Sequence, residues 1–153
     1  SALRKMTKEN FVSGIGGVNT PIVFVKLSGA QTIATGTTTL LAFASELLDT
    51  DSAFASNYFT VPSGKGGVYQ VSLFVRRSNH NVPRYYAEIQ SQGGNFVFEN
   101  AGDAYSNYNT TGGTVLINLS PGNTVKTFVH QTTGSDQDVT NDGTYLAIHR
   151  LIQ

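Results

Sequence analysis

The chain has no cysteine among its 153 residues. Disulfides, thiolate nucleophiles and cysteine-based zinc or iron–sulfur sites are therefore excluded. Charge is scarce too. Asp, Glu, Lys and Arg make up 13% of the sequence, about half the share usual in soluble domains. A surface so poor in charge has to be covered by Ser, Thr, Asn, Gln and Gly, or by another subunit. Ten basic side chains balance ten acidic ones, which argues against a general nucleic-acid binder. No apolar run is long enough to cross a bilayer as a helix. The N-terminal stretch SALRKMTKEN is polar and lacks secretory character, so a role outside the cell would call for release by lysis or within a particle.

What is present is a pattern of short strands. In FTVPSGKGGVYQVSLFV, Phe59 to Val75, a strand ends at Pro62, a turn follows at Gly64, Gly66 and Gly67, and an alternating strand starts at once. Tyr69, Val71, Leu73 and Val75 share one face of it, and Gln70, Ser72 and Arg76 the other. Further strands are expected at 22–28, 37–44, 58–61, 84–90, 96–99, 114–119, 124–131 and 144–152. Turn clusters such as Pro121–Gly122–Asn123 and Asn141–Asp142–Gly143 separate them. The stretch LLAFASELL, Leu40 to Leu48, fits a helical turn, but Thr37, Thr38 and Thr39 before it favour strand followed by loop. The expected class is an all-β sandwich or barrel formed by residues 21–153.

Residues 1–20 differ from the rest. Arg4, Lys5 and Lys8 make the segment basic, Thr7 suits a cap for a short helix holding Phe11 and Val12, and Gly14, Gly16 and Gly17 would end it. The reading is an N-terminal arm and linker; the competing reading is a frayed terminus.

Several strands are apolar on both faces. Val23, Val25 and Leu27 are backed by Ile22 and Phe24. Tyr69, Val71 and Leu73 are backed by Val68 and Phe74. Val115, Ile117 and Leu119 are backed by Leu116, and Tyr145, Ala147 and Leu151 by Leu146, Ile148 and Ile152. Such a sheet needs cover on both faces. One face meets the second sheet, and the simplest cover for the other is a further copy of the chain. Ile22, Phe24, Val68, Phe74, Leu116, Leu146 and Ile148 are the expected subunit contacts. Scattered exposed apolar residues are the bland alternative.

The stretches FTVP…GGVYQVSLFVRR, GGTVLINLSPGNTV and GTYLAIHRL, in that order, resemble the C1q/TNF-like jelly roll over Phe59 to Leu151. The resemblance implies an all-β, two-sheet jelly-roll sandwich of about ten strands. It also implies a homotrimer about a three-fold axis, with the first and last strands side by side in the inner sheet. The short basic arm and the lack of cysteine look more like bacteriophage virion proteins that use this fold. Those serve as head-decoration (cement) subunits or as tips of head and tail fibres. The implied protein is made in the host cytoplasm and sits on the virion surface. Arg4, Lys5, Lys8 and Phe11 would attach it to the capsid or another virion protein. His149 and Arg150 depart from the more apolar last strand of the family.

Chemistry is thinly represented. None of His80, His130 and His149 sits in a short catalytic motif, and no enzyme is expected. Asp136, Asp138 and Asp142 precede the last strand, where related C1q-like domains place acidic residues that bind calcium. Carboxylate oxygens suit that hard cation, and a solvated turn is the alternative. Tyr105 and Tyr108, flanked by Asn and Ser, suit contact with a glycan or cell-surface receptor, as on a fibre tip. Tyrosines that anchor loops are the alternative.

Overall fold

The computed structural model describes residues 19–78, 84–100 and 108–152. Of the arm and linker expected at residues 1–20, residues 1–18, with Arg4, Lys5, Lys8 and Phe11, lie outside them, as do His80 and Tyr105.

Thirteen strands occur in the described residues, and no helix. They are β1 (Ile22–Lys26), β2 (Gln31–Ile33), β3 (Thr39–Leu40), β4 (Ser45–Asp49), β5 (Phe54–Ala55), β6 (Tyr58–Thr60), β7 (Gly67–Arg77), β8 (Tyr85–Ser91), β9 (Gly94–Asn100), β10 (Asn109–Leu119), β11 (Thr124–Gln131), β12 (Gln137–Val139) and β13 (Tyr145–Ile152). They form two antiparallel sheets. One runs β2-β12-β7-β13-β1-β4, with β10 alongside β7; the other runs β5-β6-β11-β8-β9, with β3 alongside β11. The first and last strands are neighbours, Ile22 opposite His149 and Phe24 opposite Ala147.

The alternation read in β7 sets the core. Tyr69, Val71, Leu73 and Val75 are fully buried, while Gln70 is exposed. They meet Val23, Val25, Leu146 and Ile148 in their own sheet, and Tyr85, Ala87, Ile89, Val125 and Val129 in the opposite one. Burial of the Tyr69 phenol, the largest influence on it, pushes its pKa from 10.0 up to about 12. The neutral hydroxyl donates to the Lys65 carbonyl. Ahead of β7, Lys65 N–H donates to the Pro62 carbonyl at 3.1 Å, and Gly64 takes φ +72° inside that turn, a value that favours glycine.

LLAFASELL holds no helix; of the strand expected at 37–44 only β3, Thr39–Leu40, forms, and residues 41–44 belong to no strand. Leu41 and Phe43 point inward, Ala42 and Ala44 outward, and the chain then forms β4 against β1. The loop expected after residue 44 is therefore a strand. Leu47 and Leu48 on β4 stay exposed. Three other strands carry no clear apolar alternation and were not anticipated: β2, β5 and β12. Each is two or three residues long, too short for a period of two to stand out.

The longest pairing joins β7 to β10 over eleven rungs, Gly67 opposite Leu119 to Arg77 opposite Asn109. In the middle, a Cβ on Gly112 would lie 2.0 Å from the Leu73 carbonyl oxygen. Backbone cannot yield as a flexible side chain can. Gly112→Ala should therefore destabilise the domain by about 3 kcal/mol, measured as a lowered urea midpoint with unchanged slope.

Candidate functional site

Side chains that alternate away from the core line the outer face of the seven-stranded sheet. Pairing sets them in rows. Ile22, His149, Gln70 and Leu116 form one; Phe24, Ala147, Ser72 and Thr114 the next; Lys26, Tyr145 and Phe74 the third. Tyr145 is the hub. Its ring meets Phe24 edge-on at 5.7 Å between centroids and lies 5.3 Å from Phe74, both within the range of favourable ring pairs. Leu116 is 62% exposed and Leu48, opposite Phe24 on β4, is 44% exposed. Polar groups are interspersed: Ser72 and Thr114 share a hydrogen bond of 2.8 Å. At one edge a cleft of about 250 Å3 is lined by Phe24, Lys26, Leu47, Asp142, Gly143 and Tyr145.

Ile22, Phe24, Val68, Phe74 and Leu116 thus lie on one surface, as expected. Leu146 and Ile148 do not. They are 0% and 1% exposed and point into the sandwich, opposite Val25 and Val23 on β1 and Leu73 and Val71 on β7. They are core residues of the single subunit, and Tyr145 and Ala147 take the outer positions. With apolar residues on both faces of β13, alternation alone does not say which set turns inward. Neighbouring strands decide it. Tyr145 and Leu48 were the residues missed. The signal for Tyr145 was a ring with a polar tip, suited to a half-wet surface.

Arg150 is also inward. It donates two hydrogen bonds, at 2.7 and 3.2 Å, to the Gly66 carbonyl, so the basic residue in the last strand ties it to the turn before β7. His149 stays on the outer face. His130 stacks on Tyr86 at 4.9 Å, and its Nδ1 lies 3.3 Å from the Thr38 hydroxyl.

The three aspartates are separated by their partners. Asp136 accepts from the Thr35 backbone N–H, Asp138 from the Thr32 hydroxyl, and Asp142 from Arg76. Among the described residues no group of three His, Asp or Glu is placed to hold a metal ion. Arg76 also lies over the Tyr108 ring, 3.9 Å from its centre, and Tyr108 remains 47% exposed.

Arrangement and strand order match solved structures over most of the chain. The globular domain of zebrafish complement 1qA superposes with a TM-score of 0.63 at 15% identity, covering 88% of this chain and 99% of that one. Murine APRIL gives 0.64 at 13%, covering 85% and 98%. Eiger TNF from S. frugiperda gives 0.54 at 12%, covering 86% and 92%. The fold is the C1q/TNF-like jelly roll. No protein-family profile and no curated protein sequence matches the chain, so the likeness to these C1q- and TNF-like domains is one of architecture.

The Thr140 side chain, with Arg76 adding its charge, holds the Asp142 carboxyl below its ordinary 3.8. A carboxyl depressed in the folded state contributes stability above its unfolded value. That stability is lost as pH falls from 3.8 through the folded value. Asp142→Asn should flatten the pH dependence of the urea midpoint below about pH 4, and an NMR titration should show Asp142 protonating later than a free aspartate. An unchanged pH profile in the variant would contradict this.

Proposed function

We propose that this chain is a non-enzymatic assembly protein, a homotrimeric jelly-roll knob carried on a bacteriophage particle as a capsid decoration or cement subunit. The observation that carries the trimer is the half-buried aromatic cluster of Phe24, Tyr145 and Phe74 on the outer face, flanked by exposed Leu48 and Leu116. A second or third copy would complete the cover of these side chains at no cost in new sequence. The neighbours in fold support the same reading: the face involves the paired first and last strands. For the particle, support comes from the sparse charge, the absence of cysteine and the basic residues Arg4, Lys5 and Lys8. Three arms on one trimer bind a repeating shell with avidity, roughly 10²–10⁴-fold above one arm when the linkers reach.

A receptor- or glycan-binding fibre tip is the second reading. It rests on Tyr108, whose exposed ring is backed by Arg76, an arrangement suited to stacking against a sugar.

Sedimentation at micromolar concentration should give three times the 16.4 kDa chain mass. Leu116→Glu, placed where the side chain is already exposed in the single subunit, should yield monomers with an unaltered β-sheet spectrum. A wild-type monomer would remove the trimer. Deletion of residues 1–12 should abolish binding to purified particles and leave the trimer intact. If instead particle binding survives the deletion and Tyr108→Ala abolishes a glycan-array signal, the fibre-tip reading replaces the cement one.

A further inference from the structure

At the end of the sandwich where β7 stops and β8 and β10 begin, Arg77 turns inward and is 1% exposed. Its guanidinium carbon lies 4.6 Å from the centre of the Tyr85 ring, so one face of the plane is covered by an aromatic surface. The edge of the plane carries the donors. Among the described residues, Nε, Nη1 and Nη2 have no hydrogen-bond partner. The buried hydroxyls of Tyr85 and Thr111 are unpartnered as well. Thr111 lies two rungs away on the same inward side: Asn109 is opposite Arg77, and Thr111 is opposite Val75.

A guanidinium stays protonated in proteins, and burying it without a counter-charge is strongly unfavourable. The described acids do not supply one. Asp142 pairs with Arg76, Glu99 with Arg84 and Asp51 with Lys65. Asp49, Glu88, Asp136 and Asp138 accept from hydroxyls, amides or backbone N–H groups elsewhere. Glu46 is exposed on β4. Burial pushes the Tyr85 phenol well above its ordinary value, which keeps the hydroxyl protonated and able to donate.

We propose that Arg77, Tyr85 and Thr111 form a binding site for one small monoanion of the formate or chloride class. The guanidinium offers donors only, and the hydroxyls of Tyr85 and Thr111 can both turn to donate, so an anion that accepts satisfies all of them. The single positive charge selects a single negative one, and the burial selects a small one. A planar carboxylate matches the fork of the guanidinium, and a halide satisfies the same donors without direction. Bound there, the anion ties β7, β8 and β10 together at the end of the sandwich opposite the turn that Arg150 holds.

The test is thermal unfolding of the full chain with sodium formate or sodium chloride at constant ionic strength, for the wild type and for Arg77→Met. General salt effects common to both proteins drop out of the comparison. The wild type should show a saturable rise in Tm that Arg77→Met lacks. Tyr85→Phe and Thr111→Val retain the guanidinium and serve if Arg77→Met does not fold; each should weaken the apparent affinity several-fold. The chloride NMR line should broaden with the wild type and sharpen again on adding formate. Equal responses of the wild type and the variants overturn the proposal. So does a wild type indifferent to both anions.

Discussion

The structure depends on one constraint at its centre: β7, β13 and β1 lie side by side, and all three are apolar on both faces. Their inward residues, Leu73, Val71, Leu146, Ile148, Val23 and Val25, close the core against the second sheet. Their outward residues, Phe74, Tyr145 and Phe24, make a continuous aromatic surface. A sheet edge can be left wet, but an apolar face of this size exerts a pull toward burial. One face of these strands therefore folds the subunit, and the other stays at its surface. Register links the two. A shift of one residue in β13 would carry Leu146 and Ile148 out and Tyr145 in, exchanging core for surface.

Polar and charged groups are used sparingly, and mostly at the ends of strands. Arg150 ties the end of β13 to the turn that begins β7. Arg76 links β7 to the turn before β13 through Asp142 and covers Tyr108 at the start of β10. Arg77, one residue on, faces the opposite way. Adjacent arginines on a strand necessarily point to opposite faces, so one meets solvent and the aspartate, while the other enters the protein beside Tyr85. In a chain with so few charges, a buried guanidinium is a feature that neither the fold nor the packing of the core calls for. It fits a site whose remaining partner comes from solution.

Much of the architecture was legible because strands announce themselves locally. The alternation in β7, the Gly64 turn before it and the apolar sets in β1 and β10 appear in the structure as read. The boundaries of β11 match to the residue, 124–131. β2, β5 and β12 were not legible, since two or three residues carry no period. β4 was masked by LLAFASELL, whose run of apolar residues fits more than one period; only its pairing with β1 fixes it as a strand. The outward side chains of β1, β7 and β10 were legible, and those of β13 were inverted. The three acidic residues looked like one site because they are close in sequence, but each has a different partner, Thr35, Thr32 and Arg76.

The sequence by itself determined the all-β class, the jelly-roll order of its strands and the two-sided apolar character of several of them. Periodicity, turn chemistry and composition are properties of neighbouring residues, and they suffice for that. Only the tertiary structure decided which residues of β13 face the core, that Arg150 points inward to the Gly66 carbonyl, and that Arg77 is enclosed without a partner in the described chain. Each of these depends on what lies across a sheet or between sheets, from residues tens of positions away, and no local pattern encodes it.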